Sequence, residues 1–447
     1  MFDVLNKSAP ASRPRPRLGA RLLLLAALSA FVPGLVQAQE SPSSALRLSG
    51  FGTIGLSHTR SDKDWLLARE QTQVGADGQL SALVDSRLGL QANWTPAERW
   101  ELVTQLVLRQ RAKQASLGES VEWAFIGYHP APDWHLRLGR TSPDVFLQAD
   151  VRNVGYALPW ARPNVEFYGW MPINVLDGAD LSFAWQEPQA DWRLKLSLGQ
   201  SSSTVEALRS DDSVRVDARK MLVLSLSRET QNLLLKLSYL RTDLAVKPTA
   251  SLVQLQQGLQ ALAGLPIPSL APLAAQAKAL DQDLYSQGLA QYFSLGLQYN
   301  GSPWQATAEL SRVQLATGMS GGWRGYASLG RRWQHLTGFV IAGRSLAERS
   351  AVQAPTDWAA QLNPVLGPQT AAQAAALGAG AAEAANASRF DQSSLGLGLR
   401  YDFPQRLALK LQLEQVHSHA NGSAAWRHSS AEAGSATVLS AVLDFVF

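Results

Sequence analysis

The sequence T-V-L-S-A-V-L-D-F-V-F at residues 437–447 changes character at every second position. Its odd-numbered positions are apolar apart from the first, and they end in two aromatic residues: Thr437, Leu439, Ala441, Leu443, Phe445 and Phe447. Its even-numbered positions include Ser440 and Asp444. Successive side chains of a β-strand point to opposite faces, so this period of two predicts a strand with one apolar face. A tilted strand needs about 9 to 11 residues to cross a bilayer, and this stretch has that length.

The same alternation recurs along the chain, mostly as pairs of strands joined by short turns. Strands are predicted at residues 46–56, 87–94, 100–109, 121–128, 134–140, 179–185, 192–198, 222–226, 233–239, 293–299, 304–315, 326–333, 336–342, 395–403, 407–416 and 437–447. Long connections are predicted at residues 60–80, 142–177, 201–216, 244–289, 347–391 and 418–436. The total of about sixteen strands is even, as bacterial transmembrane barrels require. The chain is therefore predicted to be all-β: a transmembrane antiparallel up-and-down β-barrel with short turns at one end and long loops at the other.

Aromatic residues mark the strand ends that carry the short turns. They are Trp94, Trp100, Trp134, Trp185, Trp192, Tyr299, Trp304, Trp333, Tyr401 and Phe403. Such a row is typical of a membrane interface, because aromatic rings favour the boundary between hydrocarbon and water. The core of a soluble β-sandwich would not explain why these residues share one height. After residue 38 no apolar run is long enough for a spanning helix, which leaves a closed barrel as the way to satisfy backbone groups in lipid.

Residues 1–38 have the composition of a secretory signal peptide. A basic segment precedes an apolar run at residues 22–36, which contains Pro33 and is too short for a membrane-spanning helix. We expect cleavage after Ala38, leaving a single barrel domain at residues 39–447. The leader carries five basic residues and Asp3, so its removal lowers the formal net charge from +4 to about zero. The basic character therefore belongs to the leader, and no nucleic-acid partner is expected.

The predicted inward face of the barrel carries charges of both signs. Its basic residues are Arg47, Arg87, Arg109, Arg137, Arg193, Lys195, Lys236, Arg400 and Lys410, and its acidic residues are Asp85, Glu101, Glu122, Asp180, Glu309, Asp402 and Glu414. An Arg or Lys facing lipid at mid-depth costs about 2 to 4 kcal/mol, so strand parity places these residues around a water-filled lumen. Opposite charges across a pore order water and disfavour apolar solutes. We expect a slight anion preference, whereas the alternative is that many of these charges only pair across strands.

Two of the long connections are insertions rich in Ala, Leu, Gln and Pro, at residues 248–290 and 351–388. Both contain short helical runs, at residues 252–263 and 370–385. Leucine spacing in the first insertion predicts a small helical hairpin capping the mouth. Partial disorder is an equal alternative, above all in the second insertion, where alanine provides helix propensity but little to bury.

With this pattern laid out, the chain from residue 46 to 447 resembles the sixteen-stranded porins of Gram-negative outer membranes. The resemblance rests on LRLSGFGTIGLSHT at 46–59, DSRLGLQANW at 85–94, VGYALPWARPNVEFYG at 154–169, DGADLSF at 177–183 and the final strand. It implies a diffusion channel for small hydrophilic solutes or ions, located in the outer membrane among its lipids and assembled as a homotrimer. It also implies that the last strand, ending in Phe447, serves as the signal read by the barrel-assembly machinery.

In the porin family the third extracellular loop folds into the barrel and narrows it, usually with acids opposite a ladder of arginines. The matching connection is residues 142–177, and its charged residues are Asp144, Asp150, Arg152, Arg162 and Glu166. This loop departs from the usual acidic pattern, because it mixes signs and carries Trp160, Tyr168 and Trp170. Simple ion selectivity is therefore not implied.

Two other functions remain as alternatives: a structural or receptor barrel plugged by its inserts, and a barrel-embedded lipid hydrolase. Residues 318–322 match G-x-S-x-G, but a nucleophile elbow needs a helix after the serine and here a strand is predicted. Residues 50–55 match G-x-G-x-x-G but lie inside a strand, where a dinucleotide motif does not fit. His417 and His419 would need a third ligand such as His428 to hold a metal. The chain has no cysteine, so disulfides and thiolate metal sites are excluded. Neither a cofactor, a metal nor an enzymatic activity is predicted.

Overall fold

A computed structural model describes residues 46–63, 65–206, 213–284, 287–315, 321–423, 426–427 and 432–447. The predicted signal peptide at residues 1–38 lies outside these ranges. The main sheet contains seventeen strands, and all but the two-residue strand Leu80–Ser81 are long and form the wall of a barrel. A small second sheet pairs Leu66–Leu67 with Trp426–Arg427. The prediction of an all-β, sixteen-stranded antiparallel barrel is thus confirmed.

The wall strands follow one another around the barrel in chain order, each antiparallel to the next. They are β1 (Leu46–Ser61), β2 (Arg87–Ala97), β3 (Trp100–Arg109), β4 (Val121–Ala131), β5 (Trp134–Thr141), β6 (Leu176–Glu187), β7 (Ala190–Glu206), β8 (Ser213–Glu229), β9 (Leu233–Val246), β10 (Gln287–Asn300), β11 (Trp304–Leu315), β12 (Gly322–Trp333), β13 (Leu336–Ala347), β14 (Phe390–Phe403), β15 (Leu407–Ser423) and β16 (Gly434–Val446).

The barrel closes where the last strand returns to the first. β16 pairs with β1 from Phe51 opposite Val446 to Ser61 opposite Ala436. Beyond the strand, Phe447 exchanges two backbone hydrogen bonds with Gly50, at 2.8 and 2.9 Å. The Phe447 ring lies so close over Gly50 that a Cβ there would be 2.3 Å from the ring. A larger residue at position 50 would have to displace the Phe447 ring, and the pairing of the last strand with the first closes the sheet.

The outer surface of the wall is a belt of exposed aliphatic side chains. Leu48 is 75% exposed, Leu395 65% and Leu138 63%, whereas the inward-facing Val107 is fully buried. A soluble protein does not expose a contiguous apolar band of this size. The wall therefore faces lipid. Because the sheet is closed, the backbone N–H and C=O groups of its strands pair with neighbouring strands, which replaces hydrogen bonds that lipid cannot provide. In the described part of the chain, no helix combines the length and apolar character needed to cross a bilayer.

The aromatic residues predicted beside the short turns lie at that end of the wall. Seven of them are between 39% and 49% exposed: Trp94, Trp100, Trp134, Tyr299, Trp304, Trp333 and Tyr401. Trp185 and Trp192 stack face to face across one short turn, with ring centroids 5.6 Å apart. These rings form the girdle expected at the edge of the hydrocarbon layer.

The described parts of the connections contain four α-helices: α1 (Val165–Tyr168), α2 (Ala250–Ala263), α3 (Ala271–Asp283) and α4 (Trp358–Asn386). Single 3₁₀ turns lie at Leu117–Ser120, Gly155–Ala157 and Pro268–Leu270. The predicted helical hairpin of the first insertion is present as α2 and α3. α4 is longer than the predicted run at 370–385 and contains a break at Gly367, where φ is 78°.

The second insertion is helical, and one face of its helix is buried, including five of its alanines: Ala371, Ala374, Ala381, Ala382 and Ala385. Ala371, Ala381 and Trp358 of α4 pack with Leu259 of α2 and Leu273 of α3 in a separate hydrophobic cluster. All members of that cluster lie in the two insertions. The alternative of partial disorder assumed that the alanines had nothing to pack against. α2 and α3 provide the missing partner surface.

Several predicted loop boundaries were wrong, because the strands extend further than expected. Residues 201–206 and 213–216 belong to strands, since β7 and β8 pair up to Glu206 and Ser213. Serine-rich segments there lack the alternation because a strand that rises beyond the hydrocarbon layer needs no apolar face. The first insertion ends before residue 290, because β10 begins at Gln287 and pairs with Ala245.

Candidate constriction of the lumen

Loop 3, the connection of residues 142–175 between β5 and β6, packs inside the barrel. Every residue from 158 to 169 except Pro159 is buried. Val145, Phe146 and Phe167 form one hydrophobic cluster with inward-facing residues of β8 to β13, among them Tyr292 and Phe339. The apolar side of loop 3 therefore packs against the inner surface of β8 to β13.

Arg162 is the most enclosed ionic anchor of loop 3. Its guanidinium donates to both carboxylate oxygens of Asp85, at 2.8 and 3.1 Å, and to Glu414 at 3.2 Å. A further hydrogen bond goes to the Ser440 hydroxyl. The Arg162 side chain is only 1% exposed. Burial disfavours its charge, but the Asp85 and Glu414 carboxylates outweigh that effect and raise the pKa of Arg162.

Lys410 of β15 binds the middle of loop 3. Its ammonium lies 2.6 Å from Asp444 of β16, and both side chains are fully buried. The same ammonium donates to the carbonyl oxygens of Gly155, at 2.6 Å, and Trp160, at 3.1 Å. One wall cation thus satisfies two loop carbonyls that would otherwise lie buried without a donor.

Arg400 of β14 repeats this arrangement nearer the short turns. It lies 2.6 Å from Asp402 and donates to the carbonyls of Tyr156 and Leu158 at 2.9 and 2.7 Å. Its guanidinium also lies over the Tyr156 ring, 5.2 Å from the ring centroid, close enough for a cation–π interaction. The charge of Arg400 is therefore engaged by the loop and by its own strand.

The first part of loop 3 is held by Asp144. Its carboxylate accepts from the Lys236 ammonium and from the Ser225 hydroxyl at 2.6 Å. Burial by itself raises the pKa of Asp144, but the ammonium groups of Lys236 and Lys195 more than offset burial, so the pKa lies well below its ordinary value. Asp144 is therefore ionised and bridges the loop to β8 and β9.

Two glutamates complete the docking of loop 3. Glu309 of β11 accepts from the Leu147 amide at 2.8 Å, from the Tyr326 hydroxyl at 2.9 Å and from the Tyr168 hydroxyl. Glu166 of loop 3 accepts from Gln392 at 2.6 Å and from the Ser394 hydroxyl at 2.7 Å on β14. Glu166 is fully buried. These contacts make loop 3 part of the barrel interior and not a loose surface segment.

Loop 1, residues 62–86, also folds inward, which the sequence did not predict. The Gln71 amide donates to the Gly169 carbonyl of loop 3 at 3.2 Å, and the Gln71 carbonyl accepts from the Glu206 amide of β7 at 2.9 Å. The Ala112 amide, after β3, donates to the Thr72 carbonyl at 2.8 Å. Loop 1 starts at β1 and reaches β7, so it crosses the lumen above loop 3. Side-chain contacts of Glu70 with Arg109 and Arg152 add to these backbone contacts.

Between loop 1, loop 3 and the wall lies a group of five arginines, termed here the arginine cluster: Arg69, Arg87, Arg109, Arg111 and Arg152. Two carboxylates contact it. Glu70 pairs with Arg109 and lies 3.5 Å from Arg152, and Glu122 lies 3.3 Å from Arg111. Burial lowers the pKa of Arg69 to about 10, which leaves it charged at neutral pH. The arginine cluster therefore holds more positive than negative charge.

The remaining residues predicted from strand parity are divided between ion pairs and open positions. Arg137 of β5 makes a two-pronged contact with Asp180 of β6 at 2.9 Å, with Lys195 3.9 Å from the same carboxylate. Arg47 and Arg193, at inward-facing positions of β1 and β7, are exposed, as is Asp150 of loop 3. Most of the predicted lumen charges thus hold loops in place, and these three remain open to solvent.

A polar cavity of about 270 Å³ lies between loop 3 and the wall strands β10 to β14. Its lining is dominated by amide and hydroxyl side chains: Gln148, Gln298, Asn300, Gln305, Thr307, Ser328 and Thr337. Arg332, Arg400 and Asp402 provide its charges. Because these residues lie near the short turns, the cavity occupies the lumen on that side of loop 3.

Candidate ligands for metals lie at both ends of the barrel. His417 and His419 have ring centroids 5.2 Å apart, and His417 contacts the Ser435 hydroxyl. His428, the third ligand that this pair would need, lies outside the described residues, as do residues 318–320 of the G-x-S-x-G match. At the short-turn end, Glu101, His129 and His135 bring three ligand atoms within 4.8 Å of one another. Sequence spacing gave no sign of this second group, because its members come from three strands.

Comparison with known proteins relates this chain to others by structure alone. No family model matches the sequence, and no curated protein matches it. The outer membrane channel DcaP of Acinetobacter baumannii shares the fold with a TM-score of 0.50 and 10% identity, over 92% of this chain and 100% of that one. The anion-selective porin from Comamonas acidovorans covers 91% of this chain and all of its own, at 10% identity and a TM-score of 0.49.

Salmonella typhi OmpF, solved in complex with daunomycin, aligns over 91% of this chain and 98% of its own, with 11% identity and a TM-score of 0.47. Identities near this level relate folds only. Closed barrels with an apolar belt, short turns and long loops belong to the outer membrane of Gram-negative bacteria. The chain therefore has the closed, sixteen-stranded barrel fold of the DcaP channel, and this fold is the one that the sequence predicted.

Proposed function

We propose that the protein is a channel for passive diffusion of small hydrophilic solutes across the outer membrane, with a slight preference for anions. The observation that carries this proposal is the polar cavity beside loop 3. A volume of about 270 Å³ far exceeds the space that one water needs. Its amide and hydroxyl lining can replace hydration contacts of a polar solute but offers little to an apolar one.

Loop 3 supports the same proposal through its position. Its apolar side packs against β8 to β13, Asp144 binds it to β8 and β9, and Arg162 and Lys410 bind it to β15 and β16. A loop fixed to the wall narrows a pore without depending on its own flexibility. We infer that loop 3 sets the size limit of the channel.

The arginine cluster supports the anion preference. Five guanidinium groups lie near two carboxylates, and the Nε atoms of Arg87 and Arg109 have no hydrogen-bond partner. Among the predicted lumen charges that are exposed, Arg47 and Arg193 are positive and Asp150 is negative. Excess positive charge in a narrow, partly dry passage attracts small anions and repels cations.

A receptor or structural barrel without an open pore is the second candidate. The contact of Gln71 with Gly169 and Glu206 favours it, because loop 1 then bridges the lumen over loop 3. In this second candidate the insertions are not the plug, because their hydrophobic cluster consists only of their own residues. Loops 1 and 3 would themselves be the plug.

Liposome swelling separates the two candidates. Proteoliposomes are diluted into isotonic solutions of sugars of increasing size, and the initial swelling rate is measured. The channel proposal expects rates above those of empty liposomes that fall steeply with solute size. Reversal potentials in a salt gradient then measure selectivity, and strong cation selectivity would contradict the anion preference. Swelling no faster than in empty liposomes would favour the closed barrel.

The remaining expectations from the sequence resemblance are part of the same proposal. We infer a homotrimer, a non-enzymatic protein without cofactor, and assembly by the barrel-assembly machinery through the strand that ends in Phe447. The hydrogen bonds of Phe447 to Gly50 support a role of this residue in barrel closure. Chemical cross-linking of the protein in outer-membrane vesicles tests the trimer.

A further inference from the structure

Glu101, His129 and His135 form a compact group on the inner surface of the wall, beside the short turn that joins β4 and β5. Glu101 comes from β3, and the two histidines flank that turn on β4 and β5. Strand parity directs all three toward the lumen, on the face opposite to the exposed Trp100, Ile126 and Trp134. Each of the three residues is half-buried. We propose that this group is a binding site for a divalent transition-metal ion, with Zn²⁺ as the best match.

The donor set fits this chemistry. Zn²⁺ prefers histidine nitrogen and carboxylate oxygen at about 2.0 to 2.2 Å, and three protein ligands leave a fourth position for water. In this group one ligand atom from each residue lies within 4.8 Å of the other two. Tetrahedral coordination places ligand atoms about 3.4 Å apart. Small side-chain rotations therefore bring the three atoms around one ion.

The wall leaves space for this arrangement at Gly127. A Cβ on Gly127 would lie 2.5 Å from Glu101 Cγ, 2.6 Å from Glu101 Oε1 and 2.8 Å from His135 Nε2. Any other residue at this position would displace the two donors. The glycine thus forms a cradle in which the carboxylate and the imidazole meet.

The contact inside the cradle is not an ordinary hydrogen bond. His135 Nε2 lies 2.9 Å from Glu101 Oε1, yet this buried nitrogen has no hydrogen-bond partner in acceptable geometry. A nitrogen and an oxygen this close, without a shared proton on the line between them, are suited to a common cation. The metal would satisfy a buried polar atom that the described protein groups leave unsatisfied.

The surroundings orient the second histidine and limit repulsion. The His129 ring stacks on the His135 ring, with centroids 4.1 Å apart and planes 7° from parallel, so both rings present their edges in the same direction. The His129 amide donates to the Arg99 carbonyl at 2.9 Å, which links the end of β4 to the short turn between β2 and β3. The nearest strand cation, Arg137, is occupied by its two-pronged pair with Asp180. Its charge therefore opposes a bound metal less than that of a free guanidinium would.

Calorimetric titration tests the site without reference to transport. The full-length protein, folded in detergent and treated with a chelator that is then removed, is titrated with ZnCl₂ alone. We expect saturable binding of one Zn²⁺ per chain. Glu101→Gln, His129→Ala and His135→Ala should each weaken binding by about tenfold or more. The double variant His417→Ala/His419→Ala, which removes the histidine pair at the other end of the barrel, is the matched control and should bind Zn²⁺ like the parent.

The heat-dependent shift of folded barrels in gel electrophoresis verifies that each variant is folded. Glu101→Gln keeps the shape of the side chain, so it tests the site even if a histidine variant does not fold. Absence of saturable binding would overturn the proposal. Unchanged affinity in Glu101→Gln and His135→Ala, or loss of binding in the His417/His419 control, would overturn it as well.

Discussion

Loop 3 and the two helical insertions are both long connections, yet they end in different places. Loop 3 is buried inside the barrel, where Arg162, Asp144 and Glu166 meet wall residues of matching character. The insertions fold on each other, with Trp358 and Leu259 in a cluster of their own. Both segments are apolar in part, so apolar content does not explain the difference.

The difference lies in the polar groups that each segment carries. Charges such as Asp85, Lys410 and Glu309 face the lumen and would be costly to bury unpaired. Loop 3 provides the counter-charges and carbonyls that satisfy them, whereas the insertions provide apolar helix faces that satisfy only one another. The destination of a long loop in this barrel is therefore set by which of its partners would otherwise be left unsatisfied.

Deletion of whole segments should have the largest effect on the passage of sugars. Replacing residues 145–172 of loop 3 by a short glycine-serine linker should raise the swelling rate for larger sugars several-fold, because the constriction is lost. Replacing residues 249–284 and 352–387, which removes both insertions, should leave that rate unchanged. Equal effects of the two deletions would show that the insertions, and not loop 3 alone, limit the passage.

Arg162→Met should release loop 3 from the wall. It leaves the buried Asp85 and Glu414 without their counter-charge, a loss of about 3 to 5 kcal/mol for buried pairs. We expect faster cleavage within loop 3 by a protease added to the folded protein in detergent, with the barrel itself intact. Arg193→Met, at an exposed inward-facing position, is the matched control and should cleave like the parent. If Arg162→Met and the parent are cleaved within loop 3 at the same rate, Arg162 does not anchor the loop.

Trp358→Ala should loosen the insertions and leave the barrel unaffected. The Trp358 side chain is fully buried, and its indole donates to Gln276 at 2.6 Å. Large-to-small changes of this kind cost about 3 to 5 kcal/mol. Hydrogen exchange should accelerate in α2, α3 and α4, while exchange in the strands and the sugar swelling rate stay constant. Faster exchange in loop 3 would show that the two regions are coupled.

Neutralising the arginine cluster should give the smallest change. The double variant Arg87→Gln/Arg109→Gln removes two charges from a site that keeps three, so the anion preference should fall without a large change in pore size. The reversal potential in a salt gradient measures this shift. A matched double change at Arg332 and Arg193 tests whether exposed positions contribute equally. An unchanged reversal potential in Arg87→Gln/Arg109→Gln would assign the selectivity elsewhere.

The wall could be predicted from sequence because each strand repeats one rule every two residues. Leu395, Leu397 and Leu399 are exposed on the outer face as expected, and the alternating segment at residues 437–447 is a strand of the wall. The prediction failed where that rule stops. Residues 201–206 extend β7 beyond the lipid, where no alternation is required.

The interior was predictable as a set of residues but not as a set of contacts. Parity placed Lys410, Glu309 and Glu414 inside, and the loop assignment placed Arg162 near them. That Arg162 binds Asp85 and Glu414 depends on positions up to 252 residues away in the chain. Loop 1 was missed because its partners, such as Gly169, Glu206 and Arg109, are distant in the chain, and because part of its contacts are made by backbone groups.

Single-channel conductance in a planar bilayer shows whether the lumen beside loop 3 is open to water in the protein with its complete loops. We expect discrete, stable conductance steps that are smaller than those of the protein lacking residues 145–172. A silent full-length protein beside a conducting loop 3 deletion would contradict this expectation and identify loops 1 and 3 as a plug.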